Sequence, residues 1–390
     1  MARHRVSTKR PEVVRALLAA AIVFGVVLFA FVTVSGVRAF QAYRSVEREP
    51  FAEATKVRQG IAGMTDEQRS EIRQEASVAQ KTAQKTGQEA SRAIPLLDRD
   101  LLAIVAAQRN GRQPYFVPFT VPEATSPALP DGMFASYLLV GQEGPRADSM
   151  IFILLPSDGS APIMTSLPRD LYVKNPCTDE YARLNTGLGG CKGFAGGAEL
   201  LSLMVQDYTG IEVDHFARID FGGFAAVIDA LGGVDVCLDN PVRDWRSKLD
   251  LPAGCSHIGG DQALAWVRTR HTEEYVDGAW RPVRGASDFT RERHQQEMLF
   301  KVADRLASFG SLSAFSNVAD QVAGMIHLDS RFAFGDAVSL AWSFRGISSS
   351  QVKRVRVSVK DYVTDRGAWV LLPTATFNEA LAKVYPPAKR

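Results

Sequence analysis

From Ala16 to Val37 the chain carries no charged side chain, and most of its residues there are apolar. A helix rising 1.5 Å per residue over that stretch would be about 33 Å long, against a hydrocarbon core of about 30 Å. A buried core helix would have to be apolar on every face. A secretory signal core would be shorter and followed by small residues, whereas Arg38-Ala39-Phe40-Gln41 makes a poor cleavage site. The expectation is therefore a transmembrane helix over residues 16–37. Arg3, Arg5, Lys9, Arg10 and Arg15 precede it against the single Glu12, a local charge of +4. By the positive-inside rule, residues 1–15 form a cytoplasmic basic tail and everything after residue 38 lies outside the cell. The chain reads as a single-pass cell-membrane protein with a large extracytoplasmic part.

The whole chain has a net charge of only +2, so the residues beyond the tail are slightly acidic. Nucleic acid is excluded as a general partner, because the basic footprint that phosphate backbones require is missing. Any recognition of phosphate must come from a few placed arginines. All four cysteines, Cys177, Cys191, Cys237 and Cys255, fall on the exported side, where an even count reads as two disulfides. Three pairings are possible; Cys177–Cys191 and Cys237–Cys255 are preferred because each closes a short Gly- or Asp-rich loop. A zinc site is the rival reading, against which stand scattered histidines and the lack of a C-x-x-C pair.

Residues 38–112 are mostly polar and helix-forming. Thr65-Asp66-Glu67-Gln68 has the form of a capping box, and Glu71 to Arg92 is too poor in large apolar residues to bury a core face. The stretch reads as a solvated extracytoplasmic stalk. Residues 113–132, with Pro114, Pro118, Pro122, Pro127 and Pro130, read as a stiff linker. A compact α/β domain follows over residues 133–385. Tyr137 to Val140, Met150 to Leu155 and Ala161 to Leu167 are strands. Asp158-Gly159 turns the second into the third, so that facing positions sum to 317 and Asp148 sits opposite Arg169. Pro156 and Pro162 weaken that ladder enough to allow a one-residue slip. His215–Ile219, Phe221–Leu231 and Val234–Leu238 read as strand, helix and strand, with Gly232-Gly233 ending the helix.

Ala286 to Phe309 reads as a helix opened by Ser287 or Asp288. Positions 288, 291, 295, 299, 302 and 306 share one face. Its C-terminal half, Leu299, Val302 and Leu306, is an ordinary core stripe; its N-terminal half is Asp288, Arg291 and Gln295. Polar groups that continue a core stripe must face a pocket, a ligand or one another, unless the helix simply emerges into solvent there. Arg268 and Arg270, after a short helix over Asp261 to Val267, point the same way in extended chain. With Arg146/Asp148 and Arg169/Asp170 they complete four clusters. Surface ion pairs would account for any one cluster, but poorly for four. Convergent arginines with carboxylates suit a polyphosphate held by guanidinium forks and a hard cation.

Pro145-Arg146-Ala147-Asp148-Ser149, Ser166-Leu167-Pro168-Arg169-Asp170-Leu171-Tyr172-Val173 and Arg268-Thr269-Arg270-His271 closely resemble motifs of the LytR-CpsA-Psr family of cell-wall glycopolymer ligases. So do Ile219-Asp220-Phe221, Asp229-Ala230-Leu231-Gly232-Gly233-Val234, and Asp288-Phe289-Thr290-Arg291 with Gln295-Gln296. The motifs stand in the family's order, and the paired cysteines resemble those of its actinobacterial members. The resemblance implies a three-layer α/β/α sandwich with a mixed central sheet. It implies a phosphotransferase that moves a glycopolymer from a polyprenyl-pyrophosphate carrier to a peptidoglycan hydroxyl, with Mg²⁺ as cofactor. By motif, Arg146, Arg169, Arg268, Arg270 and Arg291 would hold the pyrophosphate. Asp148, with Glu143, would coordinate the metal. Gln295 and Asp170 would sit around the head group, and Asp288 would orient arginines or assist the attacking hydroxyl. An apolar tunnel would take the polyprenyl chain.

Two positions depart from the family pattern. An Asp usually stands two residues after the glycine ending the first strand, where this chain has Glu143 after Gly141. The second arginine position of the last helix, three after Arg291, is His294. The other function classes compatible with the motifs are a lipid-pyrophosphate-binding wall scaffold with weak transfer or pyrophosphatase activity, and a transcriptional attenuator. A fifteen-residue cytoplasmic tail is too short to house a DNA-binding fold, which disfavours the attenuator.

Overall fold

The computed structural model describes residues 44, 46–76, 126–283, 288–307, 321, 323–333, 336, 351–364 and 367–386. Its centre is a seven-stranded sheet, numbered here in chain order: β1 (Glu47–Glu49), β2 (Phe134–Glu143), β3 (Arg146–Pro156), β4 (Ile163–Ser166), β5 (His215–Asp220), β6 (Ile326–Asp329) and β7 (Lys353–Arg354). The spatial order is β1-β6-β5-β2-β3-β4-β7. The sheet is mixed: β2 runs parallel to β5 and antiparallel to β3. The expected register of β3 on β4 holds, with Ile151 opposite Ser166 and Leu154 opposite Ile163. Every such pair sums to 317, and Gly159 takes the left-handed conformation (φ 75°) that the turn needs.

Alternation along the central strands divides their side chains between two cores. Tyr137, Ile151 and Ile153 face one; Leu138, Val140, Phe152 and Leu154 face the other. The first is closed by helices α3 (Phe221–Ala230), α4 (Gly260–Arg268) and α5 (Asp288–Ala307), through Ile228, Ala263, Trp266, Met298 and Val302. The second is closed by α1 (Ala54–Ala62), α2 (Gly197–Thr209) and α6 (Phe377–Ala382), through Val57, Ile61, Leu201, Met204 and Phe377. Helices on both faces of the sheet make three layers, as the resemblance implied. At Gly260 a Cβ would stand 2.2 Å from the carbonyl oxygen of Ala225, so only glycine lets α4 come this close to α3. The Gly260 N–H donates to Asp229 at 2.7 Å and fixes the same junction.

The stalk expected over residues 38–112 is corrected within its described part. Residues 47–49 add a parallel strand to β6, and Phe51, Val57, Ile61 and Met64 are buried in the second core. The capping box forms as expected, Thr65 N–H donating to Gln68 and Gln68 N–H to the Thr65 hydroxyl. The helix it starts, over residues 66–76, is tied to the domain by Arg69, which donates to the carbonyls of Pro176 and Cys177. The linker expected over 113–132 is likewise docked from residue 126: Ser126 N–H donates to Tyr208 O, and Leu129 N–H to Gly210 O. Both disulfides pair as preferred, Cys177–Cys191 and Cys237–Cys255, the second across adjacent strands. Among the described residues no helix is long and apolar enough to cross a membrane; the span expected over 16–37 lies outside them.

A small four-stranded sheet stands beside the first core. Its strands are Leu249–Leu251, Val242–Asp244, Glu273–Val276 and Ala279–Pro282, in that spatial order.

Candidate functional site

Between the central sheet and helices α3, α4 and α5 lies a cavity of about 460 Å³. Its depth is apolar, formed by Leu139, Ile151, Ala217, Val227, Leu264 and Val302 among others. Six arginines (169, 218, 246, 268, 270 and 291) and four carboxylates (Glu143, Asp148, Asp220 and Asp244) also line it, an excess of positive charge that suits an anionic head group. The stripe on α5 explains this gradient. Arg291, Gln295, Leu299 and Val302 all line the cavity, so one helix face passes from cationic through polar to apolar. Asp288 begins that helix, and its side chain lies outside those described.

Arg169 is held between two carboxylates: its Nη1 donates to Asp148 at 2.5 Å and its Nε to Asp170 at 3.3 Å. Asp170 is buried at 6% exposure and also pairs with Arg183 at 3.3 Å. It does not line the cavity. Its contacts make it a group that positions Arg169, which corrects the expectation of direct contact with a head group. Arg146 is also outside the lining. It sits at the start of β3, paired in register with Glu143 beside the Gly144-Pro145 turn.

Arg268 is the last residue of α4, where extended chain was expected, and it lines the cavity together with Arg270. Its guanidinium lies 4.5 Å above the ring centroid of Phe221 and donates to Glu143 at 2.9 Å. One buried carboxylate shapes the loop that follows. Asp244, 1% exposed, accepts hydrogen bonds from the Thr269 hydroxyl (2.6 Å), Arg270 N–H (3.2 Å), His271 N–H (3.1 Å) and Arg246 N–H (2.9 Å). Burial opposes its charge, but the hydrogen bonds outweigh that and hold its pKa below the ordinary carboxylate value.

Arg291 is 6% exposed, a guanidinium built into the wall of the cavity. Gln295 beside it donates to Val267 O at 3.4 Å. His294 does not line the cavity: it is 3% exposed, stacks on Trp266 with centroids 3.9 Å apart, and its Nδ1 lies 3.2 Å from Trp266 O. Burial, and secondly the charge of Arg293, push its pKa down to about 4. The departure at position 294 therefore places a neutral core side chain, and the cavity keeps its cationic groups.

The sequence reading did not single out Arg218 and Arg246. Arg218, on β5, is held by Glu49 of β1 and donates to Gln142 at 2.5 Å. Arg246 stands in the turn after Val242–Asp244, 2.7 Å from His271 Nε2. A strand position two residues before Asp220 was the only available pointer to Arg218, and Arg246 had none.

Asp148 and Glu143 both line the cavity, each bonded to an arginine. Among the described residues no three His, Cys, Asp or Glu side chains gather as a metal site. Two carboxylates are a poor cage for a divalent ion by themselves. They do fit Mg²⁺, which is commonly held by one or two carboxylates together with substrate phosphates.

Comparison with known proteins agrees with the motifs. The chain is 30% identical over 278 residues to the cell wall biosynthesis protein LcpA of Corynebacterium glutamicum, covering 63% of this chain and 50% of LcpA. It is 27% identical over 257 residues to TagV of Bacillus subtilis, a polyisoprenyl-teichoic acid–peptidoglycan teichoic acid transferase, covering 63% of this chain and 60% of TagV. The chain thus spans only half to three fifths of the length of these curated relatives. The LytR-Csp2A-Psr enzyme of Actinomyces oris has a similar structure, with a TM-score of 0.51 and 26% identity over 67% of this chain and 96% of that one. The LytR_cpsA_psr family model matches residues 138–383, well over half of the 390-residue chain and every residue that lines the cavity. The chain belongs to the LytR_cpsA_psr family.

Proposed function

We propose that this protein is a membrane-anchored phosphotransferase that moves a glycopolymer from a polyprenyl-pyrophosphate carrier to a hydroxyl of peptidoglycan. The observation that carries the reading is one cavity lined both by apolar side chains between the sheet and the helices and by six arginines. A carrier lipid has the same two parts, a hydrocarbon chain and a diphosphate. The depth between sheet and helices would take the chain, and Arg169, Arg268, Arg270 and Arg291 would take the diphosphate. The expected span over 16–37 would keep the domain at the membrane that supplies the carrier.

In the reaction a peptidoglycan hydroxyl attacks the phosphorus that bears the glycopolymer. The bond from that phosphorus to the bridging oxygen breaks, polyprenyl phosphate leaves with the bond's electrons, and a phosphodiester joins polymer to wall. Arginine forks held before the reaction hold the charge that builds on the leaving phosphate without reorganisation. Arg169 is pre-set by Asp148 and Asp170, and the Arg268–Arg270 loop by Asp244. Asp288, one turn before Arg291, is the proposed group to orient arginines or accept the hydroxyl proton. Mg²⁺, held by Asp148 and Glu143 with phosphate oxygens, would neutralise further charge on the diphosphate.

The test is incubation of the purified protein with a polyprenyl-pyrophosphate saccharide, Mg²⁺ and a peptidoglycan oligomer. Saccharide joined to peptidoglycan through phosphate is expected. Carrier binding without any linked product would favour a lipid-binding scaffold and refute the transferase reading.

A further inference from the structure

One face of the small sheet beside the cavity covers the core through Val242, Leu249 and Leu251; the other carries aromatic side chains in the open. Tyr275 and Trp280 are directly opposite across two strands, their rings 5.3 Å apart, with Tyr275 41% exposed. Arg243 lies over Trp280 at 4.1 Å and pairs with Glu273 at 2.8 Å, on the same face by alternation. Trp245, in the turn that follows Val242–Asp244, is 66% exposed. Two exposed rings, Trp245 and Tyr275, with the half-buried Trp280 opposite Tyr275, add little to folding, since apolar area left in water contributes nothing to the core.

We propose that this face binds the glycan chain of the peptidoglycan acceptor; the assignment of the acceptor rests on the proposed function above. Sugar rings offer an apolar C–H face to an aromatic ring and hydroxyls around the edge. Rings bordered by an arginine and a carboxylate supply both kinds of contact. The charges on this face balance each other, Arg243 with Glu273, which suits a chain without net charge better than a polyanion. The face also adjoins the reaction site. Arg246 lines the cavity and stands 5.1 Å from the Trp245 ring, and Asp244 bonds the strand behind that tryptophan to the Arg268–Arg270 loop. A donor carrier is already anchored by its lipid and diphosphate inside the cavity. The acceptor needs a surface outside it that delivers a hydroxyl to that diphosphate, and this face is placed to do so.

The experiment titrates the full chain with a peptide-free N-acetylglucosamine–N-acetylmuramic acid tetrasaccharide whose lactyl carboxyls are amidated so that it is uncharged, read by tryptophan fluorescence and calorimetry without donor. Parallel titrations use a polyprenyl-pyrophosphate saccharide. The tetrasaccharide is expected to perturb the fluorescence of the parent. Trp245→Ala and Trp280→Ala should each weaken its binding by about tenfold, the scale of one lost aromatic contact. Trp280→Phe should recover most of the loss, and donor affinity should stay at the parent value. In turnover the same variants should raise the acceptor KM and leave the donor KM alone. Absence of tetrasaccharide binding, or equal binding by the alanine variants, would overturn the proposal even if the parent transfers polymer. Weaker donor binding in those variants would also overturn it, by assigning the face to the donor polymer. Tetrasaccharide binding that depends on the tryptophans, in a protein that transfers nothing, would support this surface and refute the transferase reading separately.

Discussion

Replacing Asp244 by Asn should loosen the arginine loop while leaving every arginine of the cavity in place. One carboxylate oxygen of Asp244 accepts from Thr269, Arg270 and His271; the other accepts from Arg246 N–H at 2.9 Å. An amide has one acceptor oxygen. If it serves the three donors of the 269–271 loop, its NH₂ is set against the Arg246 N–H, and a donor faces a donor. One charge-assisted hydrogen bond is lost and the other three become neutral. At about 1.5–3 kcal/mol for a bond to a charged group, and about 1 for a neutral one, the bonds together lose about 3–9 kcal/mol; relief of the buried charge returns part of this, and a net cost of at least about 2 kcal/mol is expected. The pH dependence has a definite sign. Because the folded pKa of Asp244 is depressed, its contribution is present above the unfolded carboxylate value near 3.9 and is lost as pH falls through the folded value. Urea unfolding of parent and variant at pH 7 and at pH 3 should therefore show a gap that narrows in acid. A gap under about 0.5 kcal/mol at neutral pH, or one that widens at pH 3, would refute the hub role assigned to Asp244.

Arg268→Lys keeps the charge but not the planar fork over Phe221 and Glu143, and should lower transfer rate by about 10²–10³; parent activity would count against bidentate phosphate binding. Asp148→Asn should raise the Mg²⁺ concentration needed for half-maximal rate by more than it weakens carrier binding, as measured by metal titration. His294, with its pKa near 4, should make stability decline as pH falls from 6.5 to 4, by up to about 3 kcal/mol; His294→Leu should flatten that slope in denaturant titrations. Deleting residues 1–45 should leave a folded domain, whereas deletion through residue 64 removes five buried side chains at about 1.5–3 kcal/mol each and should leave it unfolded by circular dichroism.

What could be read from the sequence was what is written locally. The turn at Asp158-Gly159 and the parity of the flanking strands set the register that brings Asp148 to Arg169, and that pair forms. The three- and four-residue steps on α5 put Arg291 and Gln295 on the cavity face, and short loops paired the cysteines. The docking of residues 46–64 was not legible. Glu47-Arg48-Glu49 is all charged yet completes a sheet edge, and its partner β6 lies some 280 positions away along the chain. Val57, Ile61 and Met64 do stand at helical spacing, but three apolar residues in an otherwise polar stretch do not by themselves show that the stretch docks, and Val46 and Phe51 fall outside that spacing. The small sheet has strands of three or four residues, below what periodicity resolves. Arg246 belongs to a turn whose position beside the cavity depends on Asp244 reaching the 269–271 loop.

The central claim is that the arginine-lined cavity holds a lipid diphosphate for transfer to a wall hydroxyl and does not merely bind or hydrolyse it. The most direct measurement is the stoichiometry of polyprenyl monophosphate released per saccharide linked, with purified protein, with and without the peptidoglycan acceptor. One lipid monophosphate per link, and little release when the acceptor is omitted, is the predicted result. Release at the same rate without acceptor, or tight carrier binding with no link formed, would contradict it.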